Sequence, residues 1–157
     1  MCWKTKYVCH SKPKFAEQDT KVFKVCLKHV ATNSIYPYYH YVHMKYEVGK
    51  SYDLAGHIAP LDGIGLNGIY IEYGFHSYNS ETCNYHHPTL CLLQETDTKS
   101  KSFIVEHRDG TKALYDHHAG YIPVIVECSI PKDTIYYENE RGEIVSEHLK
   151  IEKICVG

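Results

Sequence analysis

Short apolar runs rich in β-branched residues constrain the fold of this chain more than any other feature of its sequence. Residues 22–27, 68–73 and 124–130 are such runs, and turn-forming residues follow them. Buried strands have this length and composition. A sustained period of 3.6 residues is missing, so no long amphipathic helix is predicted. The pattern predicts a β-rich α+β protein: a compact, twisted, mostly antiparallel sheet with short helices at most.

Two hairpins and a last strand complete the predicted sheet. Residues 103–115 read as a hairpin with Asp109-Gly110 at its turn, and residues 134–145 as a second hairpin. Residues 149–155 alternate, which places Leu149, Ile151 and Lys153 on one face. The predicted core consists of Val22, Phe23, Val25, Leu27, Ile69, Ile71, Phe103, Val105, Val124, Val126, Ile130, Ile151 and Ile154.

Size and composition predict one folded domain, residues 1–157. Apolar residues make up 43% of the chain and charged residues 23%, which is ordinary for a globular protein. The first residues lack the apolar stretch of a signal peptide, and no run has the length of a membrane span. The seven cysteines are odd in number and scattered, so we expect free thiols. These features predict a cytoplasmic protein, in the host cytoplasm if a phage encodes it.

The charge balance argues against duplex nucleic acid as a partner. The formal net charge is -2, and the 17 basic residues include only two arginines, Arg108 and Arg141. Binding through phosphates needs a basic face, and bidentate phosphate recognition usually uses arginine. An anion site in this chain must rely on lysine, histidine, tyrosine and backbone N–H groups.

Tyrosine and histidine are unusually abundant, with 15 and 12 residues. A tyrosine ring suits half-buried surfaces and ligand pockets, and it is also a good strand former. The densest stretch is residues 36–52, where Pro37 predicts an edge strand and Gly49 a turn. An exposed edge of this kind predicts either a contact strip for a partner protein or pairing of two chains into a homodimer.

Neither a metal site nor a covalent catalytic site is predicted. Cys83 and His86 have the spacing of half a zinc site, with His87 beside them, but no second half of similar quality exists. No nucleophile-elbow motif is present. We therefore predict no catalytic residues, no metal and no cofactor, and interpret the cysteines as structural thiols.

The segment 69–80 is the most informative for function. A strand runs into Gly74, and His76, Ser77 and Tyr78 follow it. A flexible glycine lets backbone approach a ligand, and the three polar side chains supply hydrogen-bonding groups without fixed charge. The alternative is a strand end with a turn glycine, and the sequence leaves both readings open.

Four segments carry a resemblance to a known family. They are residues 22–25, 46–52, 74–78, and 126–132 followed by Tyr136-Tyr137. Together they resemble a family of small uncharacterised proteins from gut-type bacteria and their phages, over most of the chain except about residues 79–120. The family has no assigned activity, so the resemblance implies a phage or bacterial context.

A fold-level similarity links two segments to ADP-ribosyltransferase-like folds. Residues 74–78 look like their second conserved element, and residues 146–151, with Glu147, look like the third. The first element is poorly matched, since Lys24 or His29 would have to replace it. This similarity implies an enzyme in which Glu147 orients the ribose while His76 and Tyr78 position the nicotinamide side.

Three functions follow from these features. The first is non-catalytic binding of a small nucleotide or ADP-ribose-type ligand, by aromatic stacking and phosphate contacts; in a phage setting such a protein would sequester a host immune nucleotide signal. The second is the ADP-ribosyltransferase-like or NAD-processing enzyme, and the third a protein-interaction module using the tyrosine-rich edge. The predicted ligand-binding residues are Tyr38, Tyr41, Tyr46, Lys50, Gly74, His76, Ser77, Tyr78, Lys132 and Glu147.

Overall fold

The computed structural model describes residues 3–29, 31–37, 45–63, 68–79, 92–96, 102–106, 112–116 and 121–156. These residues form strands and a single 3-10 turn, Cys9–Ser11. The strands are β1 (Trp3–Lys6), β2 (Lys14–Phe15), β3 (Thr20–His29), β4 (Ile35–Pro37), β5 (Ser51–Asp53), β6 (Leu61–Asp62), β7 (Gly68–Ile71), β8 (Phe75–Tyr78), β9 (Leu92–Thr96), β10 (Ser102–Glu106), β11 (Lys112–Asp116), β12 (Tyr121–Ile130), β13 (Ile135–Glu138), β14 (Glu143–Ser146) and β15 (His148–Val156).

The largest sheet has nine strands in the order β2-β13-β14-β8-β3-β12-β15-β5, with β4 paired to β3. Strands β3 and β12 pair antiparallel over ten residues each, from Thr20↔Ile130 to His29↔Tyr121. These two runs are the most apolar in the chain, which suits strands with a neighbour on each side. The predicted antiparallel, β-rich architecture is confirmed.

This sheet curls around its main core. Glu147 joins β14 directly to β15, although β8, β3 and β12 lie between these strands in the sheet. One residue spans only about 3.5 Å, so the sheet must bend until β14 and β15 meet. Its concave face buries one cluster from most of the strands, including Val22, Cys26, Phe75, Val124, Val126, Cys128, Ile144, Leu149 and Ile151.

A small sheet of order β1-β7-β6 packs on the large one. Trp3 from β1, 1% exposed, and Ile71 from β7 bury their side chains with Tyr137 and Val145 of the large sheet. The indole N–H of Trp3 donates to the Glu143 carbonyl at 2.8 Å. These contacts join the start of the chain to the β13–β14 hairpin.

A third sheet has the order β11-β10-β9. Strands β10 and β11 pair from Ser102↔Asp116 to Glu106↔Lys112, which confirms the hairpin predicted at 103–115. Its turn at Asp109-Gly110 lies outside the described residues. The second predicted hairpin is also confirmed, as β13 and β14.

Three segments differ from the sequence prediction. The sequence predicts a short strand at residues 6–9, whereas the first strand is Trp3–Lys6 and the 3-10 turn begins at Cys9. Residues 75–78 are strand β8 rather than a polar loop. The register between β15 and β12 shifts between the pairs Glu127↔Lys153 and Cys128↔Ile151. This bulge interrupts the predicted alternation in β15. As a result, Lys153 is exposed while Ile151 is buried.

Most of the predicted core is confirmed. Ten of the predicted positions are buried: Val22, Phe23, Val25, Leu27, Ile69, Ile71, Val124, Val126, Ile130 and Ile151. Ile154 is half-buried and packs against the main cluster. None of the helices in the described part of the chain has the length and apolar character needed to cross a bilayer.

Candidate functional site

The corner at which β14 passes into β15 carries a buried carboxylate, Glu147. Its side chain is 7% exposed. Its backbone is held from two sides: the Glu147 N–H donates to the Ile135 carbonyl at 3.2 Å, and the Glu147 carbonyl accepts the Leu54 N–H at 3.0 Å. This double anchoring fixes the direction of the side chain at the place where the sheet closes.

The Glu147 carboxylate holds the loop that follows β5. Its Oε1 accepts the Ile58 N–H at 3.2 Å and the His57 ring Nδ1–H at 2.8 Å. The His57 side chain itself is 87% exposed. A buried carboxylate thus orients a solvent-facing imidazole, which presents its Nε2 outward.

A second histidine–carboxylate pair involves His148, the residue that follows Glu147. His148 and Asp53 are directly opposite on β15 and β5, and the His148 ring Nδ1 bonds to the Asp53 carboxylate. In both pairs the carboxylate binds Nδ1, so Nε2 of a neutral ring is an acceptor and Nε2 of a protonated ring is a donor. We call Asp53, His57, Gly74, Glu147 and His148 the corner site.

Gly74 reaches the corner from the turn before β8. Its φ is +153°, a conformation that glycine alone adopts without strain. A Cβ there would lie 2.4 Å from Val145 Cγ2 and 3.5 Å from both Ile58 Cγ1 and the Ser146 carbonyl. The glycine is therefore required by packing, which favours the turn-glycine reading, and the same contacts place it beside the Glu147 loop.

The three polar residues after Gly74 are in the sheet. Tyr78 is 2% exposed and packs with Phe23 on one face, while Ser77 is buried on the other. The His76 ring is half-buried and its Nε2–H donates to the Glu72 carbonyl at 3.0 Å. Burial, the largest cause, and the nearby Lys24 lower the pKa of His76 to about 4. These side chains support β8.

The remaining predicted ligand residues are spread over the molecule. Tyr46 is in the main core, edge-on to Tyr52 at 5.0 Å, and burial raises its phenol pKa. Its ring has no open face for stacking. Lys50 is exposed and forms an ion pair with Glu47. Tyr38 and Tyr41 lie outside the described residues.

Lys132 lies between β12 and β13. It is exposed, and its N–H donates to the Asp19 carboxylate at 2.8 Å. It lies in the turn that leads to Ile135, whose carbonyl accepts the Glu147 amide. The structure therefore brings Gly74 and Glu147 together, whereas the printed contact of Lys132 is with Asp19.

Sequence reasoning missed His57, Asp53 and His148. None of the three belongs to a recognisable motif, and histidine is so abundant here that no single one stands out. The only available signal was the predicted importance of Glu147, since a buried carboxylate requires donors from elsewhere in the chain.

Cysteine and metal chemistry receive no support from the described part of the chain. Cys26 and Cys128 are buried, and burial raises the pKa of the Cys26 thiol to about 12 and that of Cys128 well above its usual value. Such thiols are inert. Among the described residues no three histidine, cysteine or acidic side chains form a metal-binding group. Cys83, His86 and His87 lie outside those residues.

Comparison with known proteins gives no relative for this chain. No family model matches it, and no curated protein or solved structure is significantly similar to it. The residues of the corner site are therefore the basis for inferring the function of this protein.

Proposed function

We propose that this protein binds a small nucleotide or ADP-ribose-type ligand, without turning it over, at the corner site. The observation that carries the proposal is the pair of carboxylate-oriented imidazoles, His57 on Glu147 and His148 on Asp53. Preorganised polar groups at the meeting point of distant segments are typical of ligand sites. Here the segments are the loop after β5, the turn before β8 and the β14–β15 corner.

The chemistry of the corner site matches the parts of such a ligand. A neutral imidazole whose Nδ1–H is held by a carboxylate accepts a ribose hydroxyl at Nε2, and a protonated one donates to a phosphate. Tyr73, which is 55% exposed and precedes Gly74, offers a face for stacking a base.

The same geometry favours binding over catalysis. In the described part of the chain the two most buried thiols have raised pKa values, so neither is an activated nucleophile. Glu147 is already engaged by Ile58 and His57. In the phage setting that the sequence resemblance implies, binding without turnover would sequester a host nucleotide signal.

The test is a thermal-shift and calorimetry screen with ADP-ribose, NAD, AMP and adenosine. At a ligand concentration of 100 times Kd, binding stabilises the native state by about 2.7 kcal/mol, which raises Tm by roughly 5–10 °C for a chain of this size. We expect His57→Ala to weaken binding, and Glu17→Gln, at an exposed site in the loop between β2 and β3, to leave it unchanged. Absence of stabilisation by every compound would reject the proposal.

An NAD-processing enzyme is a second candidate because of the His57–Glu147 pair. A carboxylate bound to Nδ1 holds an imidazole in the tautomer that a general base requires. Incubation with NAD should then release nicotinamide, and Glu147→Gln should slow that release. Release that is absent, or equal in the wild type and the variant, would count against an enzyme.

The protein-interaction reading has no geometric support of its own. Its predicted contact strip is residues 36–46, and residues 38–44 of that strip lie outside the described residues. It stays a prediction, and a pull-down with the purified chain tests it.

A further inference from the structure

Two different strands, β8 and β4, pair with the same side of the central strand β3, and a gap in the pairing, here called the split, lies between them. Strand β8 pairs with β3 at Phe23↔Tyr78, and β4 pairs with β3 from Cys26 to Lys28. Lys24 and Val25 lie between these two pairings. The split therefore opens beside the Lys24 position of β3.

The Lys24 amine lies at this split. Its Nζ donates to the His76 carbonyl at 2.7 Å. Lys24 alternates with Val22 and Cys26, both members of the main core cluster, so its side chain is on the concave face of the sheet. The residue as a whole is half-buried.

A hydroxyl without a partner lies on the neighbouring strand. Ser77 is 1% exposed, and its Oγ has no hydrogen-bond partner among the described residues. Ser77 is opposite Ile144, another member of the main cluster, so it faces the same concave side as Lys24. Continuing the Phe23↔Tyr78 pairing by one residue puts Lys24 and Ser77 side by side. Buried hydroxyls normally have partners, so this one points to a polar group that binds there.

We propose that Lys24 and Ser77 form an internal site for a small aldehyde, which Lys24 binds covalently as an imine. The neutral amine nitrogen adds to the carbonyl carbon, and the proton it loses goes to the oxygen to give a carbinolamine. The carbon–oxygen bond then breaks, water leaves, and a carbon–nitrogen double bond remains. The Ser77 hydroxyl donates to the carbonyl oxygen during addition. No oxidant or reductant takes part.

The surroundings of Lys24 keep its amine nucleophilic. Burial, the largest cause, lowers the pKa of Lys24. The titratable groups around it are the Cys26 and Cys128 thiols, which burial keeps protonated, and the His76 ring, which burial keeps neutral. In its neutral form the Lys24 amine donates one hydrogen to the His76 carbonyl and retains a lone pair for attack.

The experiment is reductive labelling of the wild-type chain at pH 7 with propionaldehyde and cyanoborohydride, which traps an imine as a secondary amine. Lys21 is the internal control, because it lies three residues earlier on β3 with a side chain 66% exposed. Cleavage after glutamate keeps Lys21 and Lys24 in one peptide, so fragment-ion masses give the ratio of the two labels. We expect Lys24 to carry severalfold more label than Lys21, because a lowered pKa increases the fraction of its amine that is neutral at pH 7.

Labelling of Lys24 at a rate equal to or below that of Lys21 would overturn the proposal. Ser77→Ala tests the hydroxyl: the Lys24 rate should fall severalfold while the Lys21 rate stays the same. An unchanged Lys24 rate in that variant would contradict the role given to Ser77. The wild-type ratio does not depend on the folding of any variant, and propionaldehyde carries neither ribose nor phosphate, so this result is independent of the nucleotide proposal.

Discussion

At the residue scale, the identity of a tyrosine does not determine whether its ring is buried in the core or available to a ligand. The sequence assigned Tyr46 and Tyr78 to stacking on a ligand, and both rings are buried in the protein. A phenol ring packs as readily as a phenylalanine ring when its hydroxyl reaches water or a partner. Whether a ring faces the core depends on the register of its strand, which the residue type does not encode.

Gly74→Ala should destabilise the native state by roughly 2–5 kcal/mol, because it combines an unfavourable φ with a steric overlap. The added Cβ would lie 2.4 Å from Val145 Cγ2. Urea unfolding measures the change. Gly56→Ala is the matched control, since an added Cβ there meets no atom within 4 Å. Equal stability of the two variants would contradict the close packing of Val145 against Gly74.

His76 should make the protein less stable as the pH falls below neutrality. Its pKa is about 4 in the folded protein, mainly through burial, against about 6.5 when exposed. Between these values the unfolded chain binds the proton more readily, so the free energy of unfolding decreases from pH 6.5 towards pH 4. From pH 7 to pH 5 the contribution is about 2 kcal/mol.

Urea unfolding of the wild type and His76→Gln at pH 7 and pH 5 isolates this effect. The other titrating groups are common to both proteins, so the difference between their pH dependences belongs to His76. The variant should lose about 2 kcal/mol less than the wild type between these pH values. Parallel pH dependences would contradict a buried neutral ring.

At the element scale, strand positions were predictable and strand irregularities were not. Periodicity and β-branched residues located β3, β12, the two hairpins and β15, because these features act within a few residues. The bulge in β15 arises from its pairing with β12, and so the alternation predicted for Leu149, Ile151 and Lys153 breaks after Ile151. Strand β8 was not predictable from its own residues, because His76, Ser77 and Tyr78 are polar. Neighbouring strands bury most of it, and that burial depends on the fold.

The bulge gives a direct mutational contrast within β15. Ile151 is 0% exposed, whereas Lys153, two residues later, is exposed. Ile151→Ala should cost about 2–5 kcal/mol and Lys153→Ala less than about 0.5 kcal/mol. Chemical denaturation measures both. Similar costs for the two variants would mean that the alternation continues through residue 153.

At the scale of the whole molecule, the corner site was beyond sequence reasoning except for Glu147 and Gly74. Its members come from segments that are far apart in the chain: His57 and Glu147 are separated by 90 residues, and Asp53 and His148 by 95. They meet because the sheet closes where β14 passes into β15, and because the small β1-β7-β6 sheet covers that region. Closure is a property of the complete strand order, which local patterns do not specify.

The shared cluster of Trp3, Ile71, Tyr137 and Val145 predicts that the small and large sheets unfold together. Trp3 is the only tryptophan of the chain and is 1% exposed, so its fluorescence reports the docking of β1. The fluorescence and far-UV circular dichroism transitions in urea should coincide. A separate, earlier fluorescence transition would show that the small sheet detaches independently.

The most direct test of the ligand site is a titration of ¹⁵N-labelled protein with ADP-ribose, followed through its backbone amide resonances. Binding at the corner site should shift mainly the amide resonances of Ile58, Gly74 and Glu147, with little change at Ala16 or Thr20. Saturating ligand that moves no amide, or moves only those remote from the corner site, would contradict it.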